Sequence, residues 1–377
     1  MDAKEMADRY ERRRILREAK LRDFFDPNGA TQYLIVQHAG NRIYGACNSI
    51  ADIVRANLLQ FEEAIAVDWT DDLPYLEPWI GTGVYANAFG CDYVFRDFDA
   101  PHVHYKYQRI DEVKNIACPD WKKSPVMNMV LDTIDALKEA TNAGIPISLT
   151  DTQSAFDTAT LILDAAEFFT ACYADEEAVI GFMKKLNDLI IDFSHVQMKR
   201  IGNDILALPG HIMPGMPTGT GISISDDNLA VSSPHINNLI SLPFDQILAD
   251  EFGGLAIHSC GTWAHTMALL RNYRNITMID CAVGRGAGDP NPNDPAAVRD
   301  ALAGTGIIAK IRPGGDRDDL DRTLEEIFHP DLKLVVQIPY SKDNEESNYR
   351  FVDEKLRRLY HGSRQRSIAD AAAVAAR

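Results

Sequence analysis

The stretch with the clearest chemical potential is His258-Ser259-Cys260-Gly261, which closes the apolar run LAIHSCG (255–261). In an extended backbone, residues i and i+2 project to the same side. The imidazole of His258 and the thiol of Cys260 would therefore face one direction. An imidazole nitrogen and a thiolate sulfur are a donor pair that suits zinc. Gly261 lets the chain turn sharply away. The competing reading is a core cysteine beside a hydrogen-bonded histidine. A catalytic zinc takes about three protein ligands and keeps one position open. The next apolar run, ITMIDCA (276–282), offers Asp280 and Cys281, of which only one can face inward. Cys281 is the expected third metal ligand, with Asp280 as its competitor. His258 and Cys260 are the expected catalytic pair.

Other polar residues stand at the tips of apolar runs. Asp226 and Asp227 follow GISIS (221–225), and are candidates for substrate binding or for a helix cap. Asp151 and Gln153 follow IPISL and would line the same mouth, although Asp151 could equally cap a helix. His211 ends ILALPGH and precedes the loop IMPGMPTG. Arg312 and Gln337 sit on the last two runs, and a cation there would hold a carboxylate or sulfonate. Lys310 is read first as half of an internal salt bridge. His102 and His104 alternate on a hairpin and read as surface residues. Trp69, Trp79 and Tyr85 form either a hydrophobic wall of the site or ordinary core. No GxSxG elbow or Walker loop is present, and nothing points to a Ser-His-Asp triad.

These tips need elements to position them. Residues 3–24 read as a charged helix, and about 48–63 as a second, with apolar residues at helical spacing. From about 125 onward, apolar runs alternate with helical segments. The runs are 145–151, 205–211, 221–227, 255–261, 276–282, 307–313 and 332–339. Such alternation indicates a parallel sheet covered by helices. An eighth run from 64–69 (AIAVDW) would close a (β/α)8 TIM barrel, whose chemistry sits at the C-terminal strand ends. No GxGxxG follows an early strand, which argues against a dinucleotide fold. The expected organisation is 1–140 as N-terminal helices and hairpin contributing part of the barrel, 141–360 as the main barrel units, and 361–377 as a short tail. The loop GRGAGDPNPND (284–294) is either a gate or a surface connection.

The 377 residues carry 38 basic and 55 acidic side chains, a net charge of −17, which argues against nucleic-acid partners. The N-terminal segment is charged throughout, so a secretory signal is not expected. No apolar run reaches membrane-spanning length. The six cysteines lack the spacing of a disulfide scaffold, and a reducing cytoplasm is the expected compartment. The chain would be a monomer or homodimer.

The stretch GTGISISDDNLAVSSPHINNLISLPFDQILADEFGGLAIHSCG resembles the core signature of the uroporphyrinogen decarboxylase superfamily. That signature has a strand ending in Ser-Asp-Asp, a Ser-Pro helix start, a Leu-Pro within the helix and a strand ending in His-x-Cys-Gly. IPISLTDTQSAFDTATLI and LEPWIGTGVYANAFGCDYVF resemble earlier parts of the family, so the likeness spans roughly residues 45 to 360. It implies a (β/α)8 barrel with an N-terminal helical extension. The family's decarboxylases carry an N-terminal Arg-Gln-Ala-Gly-Arg-Tyr segment, which is missing here. Its zinc methyltransferases, similar to methylcobamide:coenzyme M methyltransferases, bind the metal through a His-x-Cys pair, matched by His258 and Cys260. They usually take another Cys from the last barrel strand, where this chain reads VVQIPYS with Gln337 and no Cys. The resemblance implies a zinc enzyme moving a methyl group between a small substrate or thiol and a corrinoid, such as methylcobalamin, on a partner protein. The alternatives are a metal-free decarboxylase of the same fold or a non-catalytic corrinoid- or tetrapyrrole-binding protein.

Overall fold

The computed structural model describes residues 1–37, 42–45, 47–97, 99–216, 220–338 and 345–375. Six parallel strands form one continuous sheet: β1 (Tyr33–Gln37), β4 (Ile222–Ser225), β5 (Leu255–His258), β6 (Ile276–Ala282), β7 (Ile308–Arg312) and β8 (Leu334–Ile338), in the order β1-β8-β7-β6-β5-β4. A separate antiparallel hairpin pairs β2 (Asp92–Val94) with β3 (His102–His104) and leaves His102 and His104 exposed.

Two irregular extended staves close the ring between β1 and β4. Asp71 N–H donates to the Ile35 carbonyl at 2.9 Å, and Leu76 N–H to that of Pro146 at 2.9 Å. Ser225 N–H donates to Thr152 at 2.9 Å, and Ser154 N–H to Ser225 at 2.8 Å. The six strands and the staves 71–76 and 146–153 make an eight-membered α/β barrel.

Two expected members differ. Residues 64–65 of the AIAVDW run end helix α2 (Ile50–Ile65) rather than forming a strand. Their place is taken by 71–76 and by β1, whose YLIVQ is too short and too isolated to stand out by periodicity. The run 205–211 is a wedge rather than a stave. Ala207 N–H reaches the Ile147 carbonyl at 2.9 Å and Ser223 N–H that of Pro209 at 2.9 Å, filling the gap between stave 146–153 and β4.

Alternation along the strands sorts two apolar layers. Leu34, Val36, Leu73, Ala256, Met278, Ile308 and Val335 pack in the bore, together with Leu21 and Phe24 of helix α1 (Ala3–Phe25). Ile35, Ile224, Ile257, Ile279, Cys281, Ile311 and Val336 face the surrounding helices. The inward parity continues toward the C-terminal strand ends through His258, Asp280, Lys310, Arg312 and Gln337. Residues with the right period thus pass from an apolar plug to a polar mouth within one or two pleats. Of the aromatic wall, Trp79 and Tyr85 are buried, while Trp69 is half-buried against Tyr349. Among the described residues no helix is long and apolar enough to cross a membrane.

Candidate active site

Asp280 is the hub of the mouth and is fully buried. Its Oδ2 lies 2.7 Å from His258 Nδ1 and accepts from Arg312 Nε at 2.9 Å. Its Oδ1 accepts from Lys310 Nζ. Burial alone would push the Asp280 carboxyl up. The charges of Lys310 and Arg312 overcome that and hold it well below the usual carboxylate range. A permanent anion against Nδ1 fixes the proton there and leaves the Nε2 lone pair facing the mouth.

Two further donors converge on that lone pair. Cys260 Sγ lies 3.5 Å from Nε2, and Asp227 Oδ1 lies 3.8 Å from it. One donor atom from each of Asp227, His258 and Cys260 falls within 4.8 Å of the others. Tetrahedral zinc with ordinary Zn–N, Zn–O and Zn–S bonds spaces its ligand atoms about 3.3–3.8 Å apart. The donor set therefore fits such an ion with little movement. Cys260 and Asp227 are exposed at the mouth, so an open position would be reachable. Loss of solvent pushes the Cys260 thiol up to about 12, Asp227 adds to this and Arg312 opposes it. The thiolate form thus needs a cation beside it.

The turn that presents Cys260 is held from three sides. Gly261 sits at φ +73°, where a side chain is rarely tolerated. Its N–H donates to Asp289 at 2.8 Å. Asn293 Oδ1 accepts from the N–H groups of Trp263 and Ala264 at 2.8 and 2.9 Å, and its Nδ2 donates to the Gly261 carbonyl at 2.9 Å. The Gly/Pro/Asp-rich loop is therefore a strap over the His-x-Cys turn.

Cys281 points the other way. It is fully buried in the layer facing the helices, because Asp280 has taken the inward position of β6. The expected third ligand is thus displaced from the mouth by strand alternation. Asp226 is likewise turned away: it is fully buried behind the barrel wall, where its Oδ2 accepts from Ser241 Oγ at 2.6 Å. Of the Asp-Asp pair only Asp227 reaches the mouth.

The opposite wall is built on His211. Its Nδ1 lies 2.7 Å from Glu77 Oε1 and its Nε2 lies 3.5 Å from Asp151 Oδ1. Asp151 also accepts from Trp79 Nε1 at 3.1 Å, Gln153 Nε2 at 2.9 Å and Ser225 Oγ at 3.0 Å. The His211 and His258 rings meet edge-on, with centroids 6.2 Å apart and planes at 80°. Gln337, Tyr44, Tyr75 and Glu77 line an adjoining cavity of about 110 Å³. Sequence reasoning missed Glu77 and Tyr44. The signal for Glu77 was a lone acid in the apolar, aromatic PYLEPWIG.

Burial alone would push the His211 imidazolium down, but Asp151 and Glu77 overcome this and hold it up to about 9. A folded value above the unfolded one near 6.5 means its stabilisation is complete below about pH 6.5 and is lost as pH rises through about 9. The wild-type advantage in Tm over His211→Gln should shrink steadily from pH 6.5 to 10. A constant difference would contradict this.

Residues 81–209 match the family model of uroporphyrinogen decarboxylase (URO-D). The matched segment is about a third of the chain and makes it similar to the URO-D superfamily there. A solved methyltransferase from Methanosarcina mazei superposes with a TM-score of 0.61, covering 92% of this chain and 99% of that one at 12% identity, which shows a shared fold. No curated protein matches the chain in sequence. Asp151 and Gln153 fall inside the matched segment. Glu77, His211, Asp227, His258, Cys260, Asp280, Arg312 and Gln337 fall outside it. The family match therefore does not by itself cover the His-x-Cys centre.

Proposed function

We propose that this protein is a zinc-dependent methyltransferase that moves a methyl group between a small substrate or thiol and a corrinoid cofactor carried by a partner protein. The observation that supports it most is the convergence of His258 Nε2 and Cys260 Sγ at an open barrel mouth, with Asp280 orienting the imidazole. Zinc held by His258 and Cys260 would supply Lewis acidity, keeping a coordinated thiol as thiolate or polarising a departing heteroatom. The other roles belong to this chain's residues. Asp280 fixes the histidine tautomer, and Lys310 and Arg312 keep Asp280 ionised. His211 holds a proton on the facing wall. Asp151 and Gln153 hold that wall in place, and Gln337 with Tyr44 shapes the small cavity beside it.

The test uses the absorbance change between methylcobalamin and cob(I)alamin. Zinc-loaded protein is mixed with methylcobalamin and a panel of small thiols, or with cob(I)alamin and small O-, N- and S-methyl donors. Turnover with at least one pair is expected, with loss on zinc removal or in Cys260→Ala. Turnover unchanged by both would sink the proposal.

Arg312 favours a second reading. Its Nη2 is buried with no partner among the described residues, and an oxygen of a carboxylated substrate would satisfy it. Metal-free decarboxylation of such a substrate would proceed equally in chelator-treated protein, which separates the two readings.

Thiol labelling gives an independent check. Cys118 and Cys260 are exposed and Cys47, Cys91, Cys172 and Cys281 are buried. Iodoacetamide at alkaline pH should modify Cys118 and Cys260 in native, metal-free protein, as read by peptide mapping. Added zinc should protect Cys260 alone. Equal labelling of Cys260 with and without zinc would contradict a metal at this site.

A further inference from the structure

We infer that the third protein ligand of this metal centre is Asp227 rather than a second cysteine, and that Asp157 is the positioning residue that holds it there. The inference rests on the metal reading above and adds the identity of the donor set, one nitrogen, one sulfur and one oxygen.

Both cysteine routes to a third ligand are closed by geometry. Cys281 faces the helices, and bringing it inward would require β6 to slip by one residue. A one-residue slip moves every side chain of a strand to the other face. It would expel Asp280 from its contacts with His258, Lys310 and Arg312. The last strand, Leu334–Ile338, carries Gln337 and no cysteine.

Asp227 reaches the site without any such change. Its Oδ1 lies 3.8 Å from His258 Nε2 and accepts the N–H of Cys260 at 2.6 Å. The carboxylate thus fixes the backbone of one ligand while standing beside the donor atom of another. Half of its side chain, 51%, is exposed toward solvent, so ligation does not require desolvating an unpaired buried anion.

The position of Asp227 is set from behind the barrel. Asp157 lies on the helix Ala155–Ile162, which leaves stave 146–153. Its Oδ2 accepts the Asp227 N–H at 2.7 Å and its Oδ1 accepts the Asn228 N–H at 2.8 Å. The Asp226 N–H donates to the His258 carbonyl at 2.8 Å, tying the same loop to β5. Both carboxylate oxygens of Asp157 are used as acceptors. An asparagine there would keep one acceptor and set its NH₂ against the other N–H.

The donor set has a spectroscopic signature. Cobalt(II) is loaded into metal-free protein, and the thiolate-to-cobalt band, whose intensity reports the number of thiolates, is recorded. Zinc affinity is measured by competition with a chromophoric chelator. Wild type should show the band of a single thiolate. Asp227→Ala should retain that band while losing at least about tenfold in zinc affinity, the lower bound seen even for outer-shell changes. Asp157→Asn should lose about tenfold with the band unchanged, and Cys281→Ala should match wild type in both readouts. Circular dichroism checks that each variant is folded. A two-thiolate band in wild type that falls to one in Cys281→Ala, or wild-type affinity in Asp227→Ala, overturns the inference while leaving the metal reading intact. Wild-type protein that takes up no cobalt or zinc overturns both.

Discussion

Asp280→Ala is expected to destabilise the protein by about 3–5 kcal/mol, the range for removing one partner of a buried ion pair. Asp280 is fully buried and Lys310 is 1% exposed, so the variant would leave a buried ammonium with no counter-charge. It would also free Arg312 Nε and His258 Nδ1 from their shared acceptor. The cost arises from the stranded charge more than from the lost contacts. The double variant Asp280→Ala with Lys310→Met should therefore recover part of the loss, because it removes the stranded ammonium and adds apolar volume. Denaturant midpoints of the wild type, both single variants and the double variant give the coupling directly. A loss under about 1 kcal/mol in Asp280→Ala would show that Lys310 finds water or another acceptor, and that Asp280 is not the hub.

His258→Ala should reduce zinc affinity by more than about 100-fold, the upper range reported for outer-shell partners of metal ligands. The His258 imidazole has a neighbour at each ring nitrogen. Its Nδ1 is held on Asp280 at 2.7 Å, and its Nε2 faces Cys260 and Asp227. Truncation removes the donor nitrogen and leaves a space the size of an imidazole. Added imidazole should restore part of the zinc affinity in His258→Ala and none in Cys260→Ala. Stability should respond far less than in Asp280→Ala, since Asp280 keeps Lys310 and Arg312 as partners when the imidazole is gone. Zinc affinity within tenfold of wild type in His258→Ala would remove the imidazole from the donor set.

The pairing of His258 with Cys260 was legible because it needs only a strand end and a turn, both of which are local. The choice between Asp280 and Cys281 was not. Strand alternation limits the inward residue to one of two, but which one depends on the register with β5 and β7. The same holds for Asp226 and Asp227, since the buried member is chosen by Ser241 and the helix layer behind it. The His211–Glu77 pair joins residues 134 positions apart, and no periodicity connects them. Six of the eight barrel members followed from apolar runs. β1 did not, because five residues between a turn and a loop carry too little pattern. The wedge at 205–209 has the composition of a strand, and only its neighbours in the ring decide otherwise.

The central claim is that His258 and Cys260 form a metal centre, and zinc content tests it most directly. Wild-type protein and His258→Ala are purified identically, equilibrated with zinc, freed of excess ion and analysed for bound metal per chain, with circular dichroism confirming equal folding. The account predicts close to one zinc per wild-type chain and essentially none in His258→Ala. No zinc in the wild type, or the same content in both proteins, would contradict it.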